Sequence, residues 1–425
     1  MLLLASLFLA QSGAGLFKTV VPNATGENGY EEYLRAAELV QSPLAQAYAD
    51  WKPGATPPSS ALVEDEKTGL PSVGRPDPSL VALYRRLNAM TPLDVRREEL
   101  SKFGRALDFV HAGNAKAAFD PRTEAGPDTL FPQFAAFRSL TRFATRAATV
   151  YAADGRTDRA TEILLDQMLF ADNFGRGVVI ANLVATATTS MALASFGELL
   201  PRLSRADAVK IERGVAAILA RPIAARAVLP AEFEFAKAGL RTVAASGDAK
   251  GLFYDPDDEE ASATSKAMAQ EYGALSQAQR KALLRGVESR LENRAIEMDR
   301  ILAGPEGKWE EKIAALDNDE SPSDLEGTLM ATLTPVYSGY VGVAARSRTQ
   351  LRLLGLHARL IQHRWDFGHY PESIDVPDPL TGGPYLYERH GDGTIRLASK
   401  GLSSTGEIEL KYKRPPPPVE TGAKP

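Results

Sequence analysis

Glu232 and Glu234 invite a search for general acid–base chemistry, because two carboxylates that share a substrate can divide a proton between them. On a helix, residues two apart point about 200° away from each other, so these two cannot meet over one ligand. Both are read instead as partners of a helix dipole, in the first turn of a helix that Pro230 opens. Asp255, Asp257 and Glu259 alternate as calcium ligands do, but the glycine and distal glutamate of an EF-hand loop are missing. A solvated acidic loop accounts for them. Lys67-Thr68-Gly69 matches one box of the penicillin-binding serine enzymes, yet no S-x-x-K accompanies it, and the match is read as chance.

The five histidines, His111, His357, His363, His369 and His390, show no ligand spacing. His357 and His363 are six apart, about 240° around a helix, and read as single hydrogen-bonded or exposed side chains. Arg348, Arg352 and Arg359 share one helical stripe opposite Leu353, Leu356, Leu360 and Ile361, which a solvated face over an apolar face explains; an anionic partner surface is the alternative. H-E-x-x-H, Walker A, G-x-G-x-x-G and G-x-S-x-G patterns are absent, and there is no Cys for thiolate, disulfide or cluster chemistry. The expectation is therefore no cofactor and no metal site, with catalytic residues unassigned.

With 44% hydrophobic residues the chain can bury one large core or two ordinary ones. Its 54 acids against 49 bases, a net charge of −5, make no nucleic-acid footprint. Leu2 to Ala10 (LLLASLFLA) has the length of a signal-peptide core, and Ser12 and Ala14 fit a cleavage site, so residues 1–14 read as a signal peptide; a buried first helix is the other reading.

The elements follow from capping signals and periodicity. Asn28 caps a helix from Gly29 to Trp51, with Glu31 and Glu32 at its positive end. Lys52 to Pro78, rich in proline and glycine, reads as a long surface loop (52–78). Ser79 to Ala89 is a short helix, and Thr91-Pro92 opens another to about Val110. Beyond an irregular stretch, Phe131 to Ala153 and Asp158 to Phe174 read as two antiparallel helices around Asp154-Gly155-Arg156. Gly177 to Gly197 carries no charge and reads as the buried central helix of a bundle, a membrane span being the alternative. Ser204 and Asp207 box a helix to Ala220. Ser276 begins a long charged helix to Ala303 with an apolar stripe of Leu283, Leu284, Val287, Leu291 and Ile296. After a polar break at Asp317 to Asp324, helix resumes from Leu325 to about Asp366, bent near Pro335.

The chain ends in different chemistry. Gly368-His369-Tyr370-Pro371 stops the helix, and Asp378-Pro379-Leu380-Thr381-Gly382-Gly383-Pro384 is a turn that leads into strands at Tyr385 and Tyr387, Thr394 to Ser399, and Ile408 to Tyr412. A long helix, G-x-Y-P, D-P-x-x-G-x-P-Y and a hairpin ending near S-x-G resemble the soluble part of type II secretion pseudopilins and related pilin-like proteins. Gly368, Tyr370, Pro371, Asp378, Pro379, Gly382 or Gly383, Pro384, Tyr385, Ser399 and Gly401 carry that resemblance. The combination also resembles large exported bacterial helical proteins that begin N-x-Y-x-x-Y-L-x-A-A, matched here by Asn28, Tyr30, Tyr33, Leu34, Ala36 and Ala37. Some pseudopilins hold calcium after the sheet, for which Asp378 or Asp392 would be the residues to consider.

The resulting expectation is a mainly α protein, a multi-helix bundle with a small C-terminal antiparallel β module attached to a long helix. Its divisions would be a signal peptide, a bundle (15–335), the long helix with its β module (336–414) and a proline-rich tail (415–425). The function expected is that of a non-enzymatic, periplasmic or secreted component of a bacterial envelope, with a protein or envelope partner, no nucleic acid and no transmembrane span in the mature chain. The alternative is an envelope-acting hydrolase whose carboxylates come from distant helices.

Overall fold

A computed structural model of the chain describes residues 28–58, 60–64, 71–74, 77–118, 131–246, 263–318, 324–333, 337–391 and 393–410. The leader, Lys67-Thr68-Gly69, the acidic loop with Asp255, Asp257 and Glu259, Pro335, Asp392 and the 415–425 tail lie outside these residues. Among them the fold is mainly α, with fifteen α-helices and a small three-stranded antiparallel sheet near the C-terminus. The chain forms two compact units, Met1–Pro121 with Pro132–Phe170, and Arg122–Phe131 with Ala171–Pro425.

In the first unit, Asn28 caps α1 (Gly29–Gln41) by accepting from the Tyr30 amide at 3.0 Å. The expected continuous helix breaks at Ser42: Pro43 has no N–H to continue it and instead opens α2 (Pro43–Asp50), with Ser42 as its cap. The stretch read as a long loop contains a hairpin, β1 (Ser60–Glu64) paired antiparallel with β2 (Pro71–Gly74). Leu62, Val63 and Val73 supply strand propensity, and Pro71 stands at a strand's first residue, where no ladder donor is needed. Then come α3 (Pro78–Asn88) and α4 (Pro92–Phe103), the latter capped by Thr91. What was expected as one helix to Val110 is broken at Gly104, and α5 (Arg105–Asn114) carries His111 inside the helix.

Helix α6 (Gln133–Ala153) turns back through Gly155, at φ +76°, into α7 (Thr157–Phe174). Phe137 meets Phe170 edge-on at 5.2 Å and Thr145 reaches Gln167, an antiparallel alignment of the two helices. Tyr30 and Tyr33 of α1 join the same aromatic core, at 5.5 Å from Phe137 and 4.7 Å from Phe170. Their close approach depends on Gly113 of α5, where an added Cβ would lie 2.4 Å from the Tyr33 ring and 2.8 Å from the Gly29 carbonyl oxygen. Gly113→Ala should therefore destabilise the protein by about 1–3 kcal/mol in urea unfolding, although alanine is the better helix former. Gly239→Ala, at a helical glycine with no described residue within 4 Å of the new Cβ, should show the opposite sign, a gain of about 0.5–1 kcal/mol.

The second unit begins with α8 (Val179–Leu199), the uncharged helix. Followed by the 3-10 turn Leu200–Arg202, it has the length and composition of a membrane span. Its burial is one-sided, which corrects the expectation of burial all round. Ala181, Asn182, Ala185, Thr188, Thr189, Ala192, Leu193 and Phe196 are buried, whereas Ile180, Leu183, Ala187, Ser190 and Ala194 face outward. Three of those five outward residues are Ala or Ser, whose exposed apolar area is small, so lack of charge alone did not require a second covered face.

Helix α9 (Arg205–Ala220) starts at the expected Ser204–Asp207 capping box. Pro230 does not open a helix as expected; it lies inside α10 (Ala225–Ser246), so Glu232 and Glu234 are not in the first turn of their own helix. Next are α11 (Ala263–Ala274) and α12 (Gln277–Ala303), the latter capped by Ser276 with Gln279. On α12 Leu284, Val287 and Leu291 are buried as expected, but Ile296 is 59% exposed and Arg294 takes the inward place. The short turn Glu306–Lys308, α13 (Trp309–Asn318) and α14 (Leu325–Leu333) lead to the 31-residue α15 (Tyr337–Phe367). Asp317, expected in a polar break, lies half-buried at the end of α13 and pairs with the buried Arg294 at 2.6 Å.

Helix α15 packs along α9, α13 and α8. The helix that the sequence grouped with the β module thus shares the core of the second unit. The module itself is β3 (Leu386–Arg389), β4 (Ile395–Ser399) and β5 (Ile408–Glu409), in the order β3-β4-β5.

Candidate functional site

Three polar constellations could carry function, and each lies within one unit. In the first unit, α5 presents His111 and Asn114 three residues apart, and both grip Asp166 of α7. His111 Nδ1 lies 2.9 Å from Asp166 Oδ2, and Asn114 Nδ2 donates to Asp166 Oδ1 at 3.1 Å. The Tyr33 hydroxyl donates to Asn114 Oδ1 at 2.9 Å, anchoring the group to the aromatic core. With Nδ1 on the carboxylate, Nε2 of the largely exposed imidazole is left for solvent. Beside it is a cleft lined by Leu107, Leu140, Ile163, Phe170, Arg159 and Asp166, whose enclosed volume of about 10 Å³ is the room of about one water molecule.

The second constellation closes the start of α8. Glu232 Oε1 accepts from the Val179 amide at 2.5 Å, Asn182 Nδ2 donates to the Gly175 carbonyl at 3.0 Å, and the Tyr340 hydroxyl donates to Asn182 Oδ1 at 3.0 Å. Burial pushes the Glu232 carboxyl above its ordinary range, only partly opposed by the Val179 N–H. Burial, with Glu232 adding to it, pushes the Tyr340 phenol well above its own. The helix-dipole role expected for Glu232 in its own helix is not found; its oxygen instead meets the positive end of α8. Glu234, as the 200° offset required, turns away to pair with Lys237 at 2.5 Å on the surface.

The third constellation joins α15 to the β module. Of the arginine stripe only Arg359 lies on a solvated face, 59% exposed, while Arg348 and Arg352 are largely covered. Arg352 forks onto both oxygens of Glu306, at 2.6 and 2.5 Å. Arg348 reaches Glu306 at 3.3 Å and caps α9 by donating to the Leu219 carbonyl at 2.6 Å, while Arg359 pairs with Glu212. Periodicity placed these residues on one stripe, but their acceptors come from segments more than a hundred residues away in the chain, or from a turn with no signature of its own. Glu306 is adjacent to Gly307, whose added Cβ would lie 2.3 Å from the Leu380 carbonyl oxygen, so this turn abuts the D-P-L-T-G-G-P segment.

Asp378, fully buried, organises that segment. Its carboxyl accepts from the Leu380 amide at 3.0 Å, the Thr381 hydroxyl at 3.1 Å and the Ser399 hydroxyl at 2.5 Å. Ser399 Oγ in turn accepts from the Gly401 amide at 3.0 Å. Gly401 sits at φ +67° with the Gly406 carbonyl against it, a position closed to any side chain. With its oxygens accepting from three donors of this turn, Asp378 has a structural role there. Among the described residues no three His, Asp or Glu side chains converge as metal ligands would.

The remaining histidines are dispersed. His357 is fully buried, which drives its pKa down to about 3 and keeps it neutral. His363 Nδ1 approaches the His369 carbonyl at 2.9 Å at the end of α15, with its ring on Phe367. The His111–Asp166 pair and the Glu232–Val179 contact escaped the sequence reading because their partners are 55 and 53 residues away.

Fold and sites together define a mainly α protein of two helical units, whose second unit carries a small antiparallel β module on a long helix. No known protein family, curated protein or solved structure matches the chain.

Proposed function

We propose that the chain is a non-enzymatic, extracytoplasmic structural or interaction protein of the bacterial cell envelope, ending in a pseudopilin-like module. The observation that carries this reading is the knot at Asp378. Residues quoted from two separate stretches of the pilin-like pattern, Asp378 on one side and Ser399 and Gly401 on the other, meet in one hydrogen-bonded turn at the end of a 31-residue helix. That convergence is the support for the reading.

The fate of the buried carboxyls supports the non-enzymatic side of the reading. Glu99 is held between Arg96 at 3.0 Å and Arg146 at 2.5 Å, Glu306 between Arg348 and Arg352, and Asp378 inside its own turn. At Glu99 and Glu306, carboxyls that the hydrolase alternative could draw on are instead spent on holding helices together, whereas Glu232 has no ion pair among the described residues.

The test is fractionation of the producing cell with intact-mass measurement. Mature protein beginning near Gly13 or Gly15, recovered from the periplasmic or external fraction, is the expected result. Full-length chain confined to the cytoplasm would overturn the envelope reading.

A further inference from the structure

We propose that four arginines gathered where α9 ends, Arg176, Arg221, Arg348 and Arg352, form a binding site for a phosphate group. They come from four separate stretches of the chain and share two carboxylates. Arg176 and Arg221 both pair with Asp172, at 2.9 and 2.5 Å. Arg348 and Arg352 both pair with Glu306, at 3.3 and 2.5 Å. The connection from α9 to α10 joins the two groups: the Arg221 carbonyl accepts from Arg348 at 3.4 Å, and the Pro222 carbonyl, one residue on, accepts from Arg176 at 3.0 Å.

Four guanidinium groups thus meet two carboxylates in one place, and two positive charges have no formal counter-charge. Neighbouring pairs on the same helices, Arg359 with Glu212 and Arg226 with Asp299, match one cation to one carboxylate. Backbone carbonyls offset part of the excess. Leu219, at the end of α9, accepts from Arg348 at 2.6 Å, but a helix end supplies only about half a negative charge. Glu232, on the Val179 amide, makes no ion pair with any of the four among the described residues.

Donors are left over as well as charge. Among the described residues nothing accepts a hydrogen bond from Arg221 Nε or Nη2, or from Arg176 Nη1. These two side chains are 34% and 20% exposed, so a small anion can reach them. Guanidinium forks fit the oxygens of a carboxylate or a phosphate. A carboxylate brings one negative charge, whereas a phosphate brings about two near pH 7, which matches the excess here. Free inorganic phosphate and the headgroup of an anionic lipid present the same oxygens to such forks.

The experiment titrates the full chain with inorganic phosphate by isothermal calorimetry, at constant ionic strength and near neutral pH. In parallel, the chain is floated with vesicles of phosphatidylglycerol and of phosphatidylcholine. Saturable one-to-one binding of inorganic phosphate is the result expected of a site for the free ion; binding confined to phosphatidylglycerol vesicles would support the site with a lipid as its source. In whichever arm binds, Arg221→Gln should weaken binding about tenfold or more, the loss of one charged contact. Arg359→Gln, which removes an exposed arginine from a one-to-one pair, should leave it unchanged. Binding in neither arm would overturn the proposal. So would undiminished binding by Arg221→Gln, or an equal loss in both variants, which marks general surface charge. Should Arg221→Gln fail to fold, hydrogen exchange of the wild type decides: protection of peptides covering 219–224 must rise when the binding probe is added, and unchanged protection there overturns the site.

Discussion

Glu306→Ala is expected to cost about 3 kcal/mol of stability, because it strips the counter-charge from two arginines held largely out of solvent. Arg348 and Arg352 have side chains only 19% and 15% exposed, and Glu306 is the carboxylate both of them reach. Burial already pushes the Arg348 guanidinium below its ordinary pKa, so removing Glu306 leaves a desolvated cation in place. Urea unfolding followed by circular dichroism would measure the loss. Glu306→Gln should recover little, since it keeps an acceptor but not the charge. The double variant Glu306→Ala/Arg352→Ala should cost clearly less than the sum of the two single ones, the mark of a direct interaction. A loss below about 1 kcal/mol for Glu306→Ala would mean that the pair is a surface contact of the usual weak kind.

Asp378→Ala should detach the β module from its turn. Three donors lose their acceptor at a fully buried site, and the Ser399 hydroxyl that supports Gly401 is left without its partner. An unmade buried hydrogen bond costs about 1–3 kcal/mol, so a total of about 3 kcal/mol is expected, concentrated in residues 371–410. Limited proteolysis should cut that segment in Asp378→Ala while leaving α15 protected. Asp378→Asn, which keeps one acceptor oxygen, should fall between the two. Cleavage beginning in α15 would instead show that the module and the helix unfold as one. Ser399→Ala tests the same knot from its other side and should cost less, because Asp378 keeps its Leu380 and Thr381 donors.

How the two units are built was legible to different degrees. Caps were read well: Asn28, Thr91, Ser204 with Asp207, and Ser276 all act where they were expected, because a cap is a contact within three residues. Proline departs from the expectation in both directions. Pro43 splits a helix that periodicity runs together, since Ser42 caps its successor; Pro230, expected at a helix start, has five helical residues before it. The strands of the β module were found from alternation and turn chemistry. The β1–β2 hairpin was hidden by the prolines around it.

The amino-acid sequence by itself determined what neighbours along the chain decide: helix over most of its length, the caps, the Gly155 reversal, and the turn that begins the β module. Only the tertiary structure decided the partners of the buried charges. Glu99 takes two arginines, the Arg348–Arg352 stripe closes on Glu306, Glu232 meets the amide of a different helix, and α8 covers one face and leaves the other open. The physical reason is range. Capping and periodicity act over one or two turns, whereas desolvating a charge is settled by whatever group folding brings beside it, and for Glu232 that group is a single backbone N–H from 53 residues away.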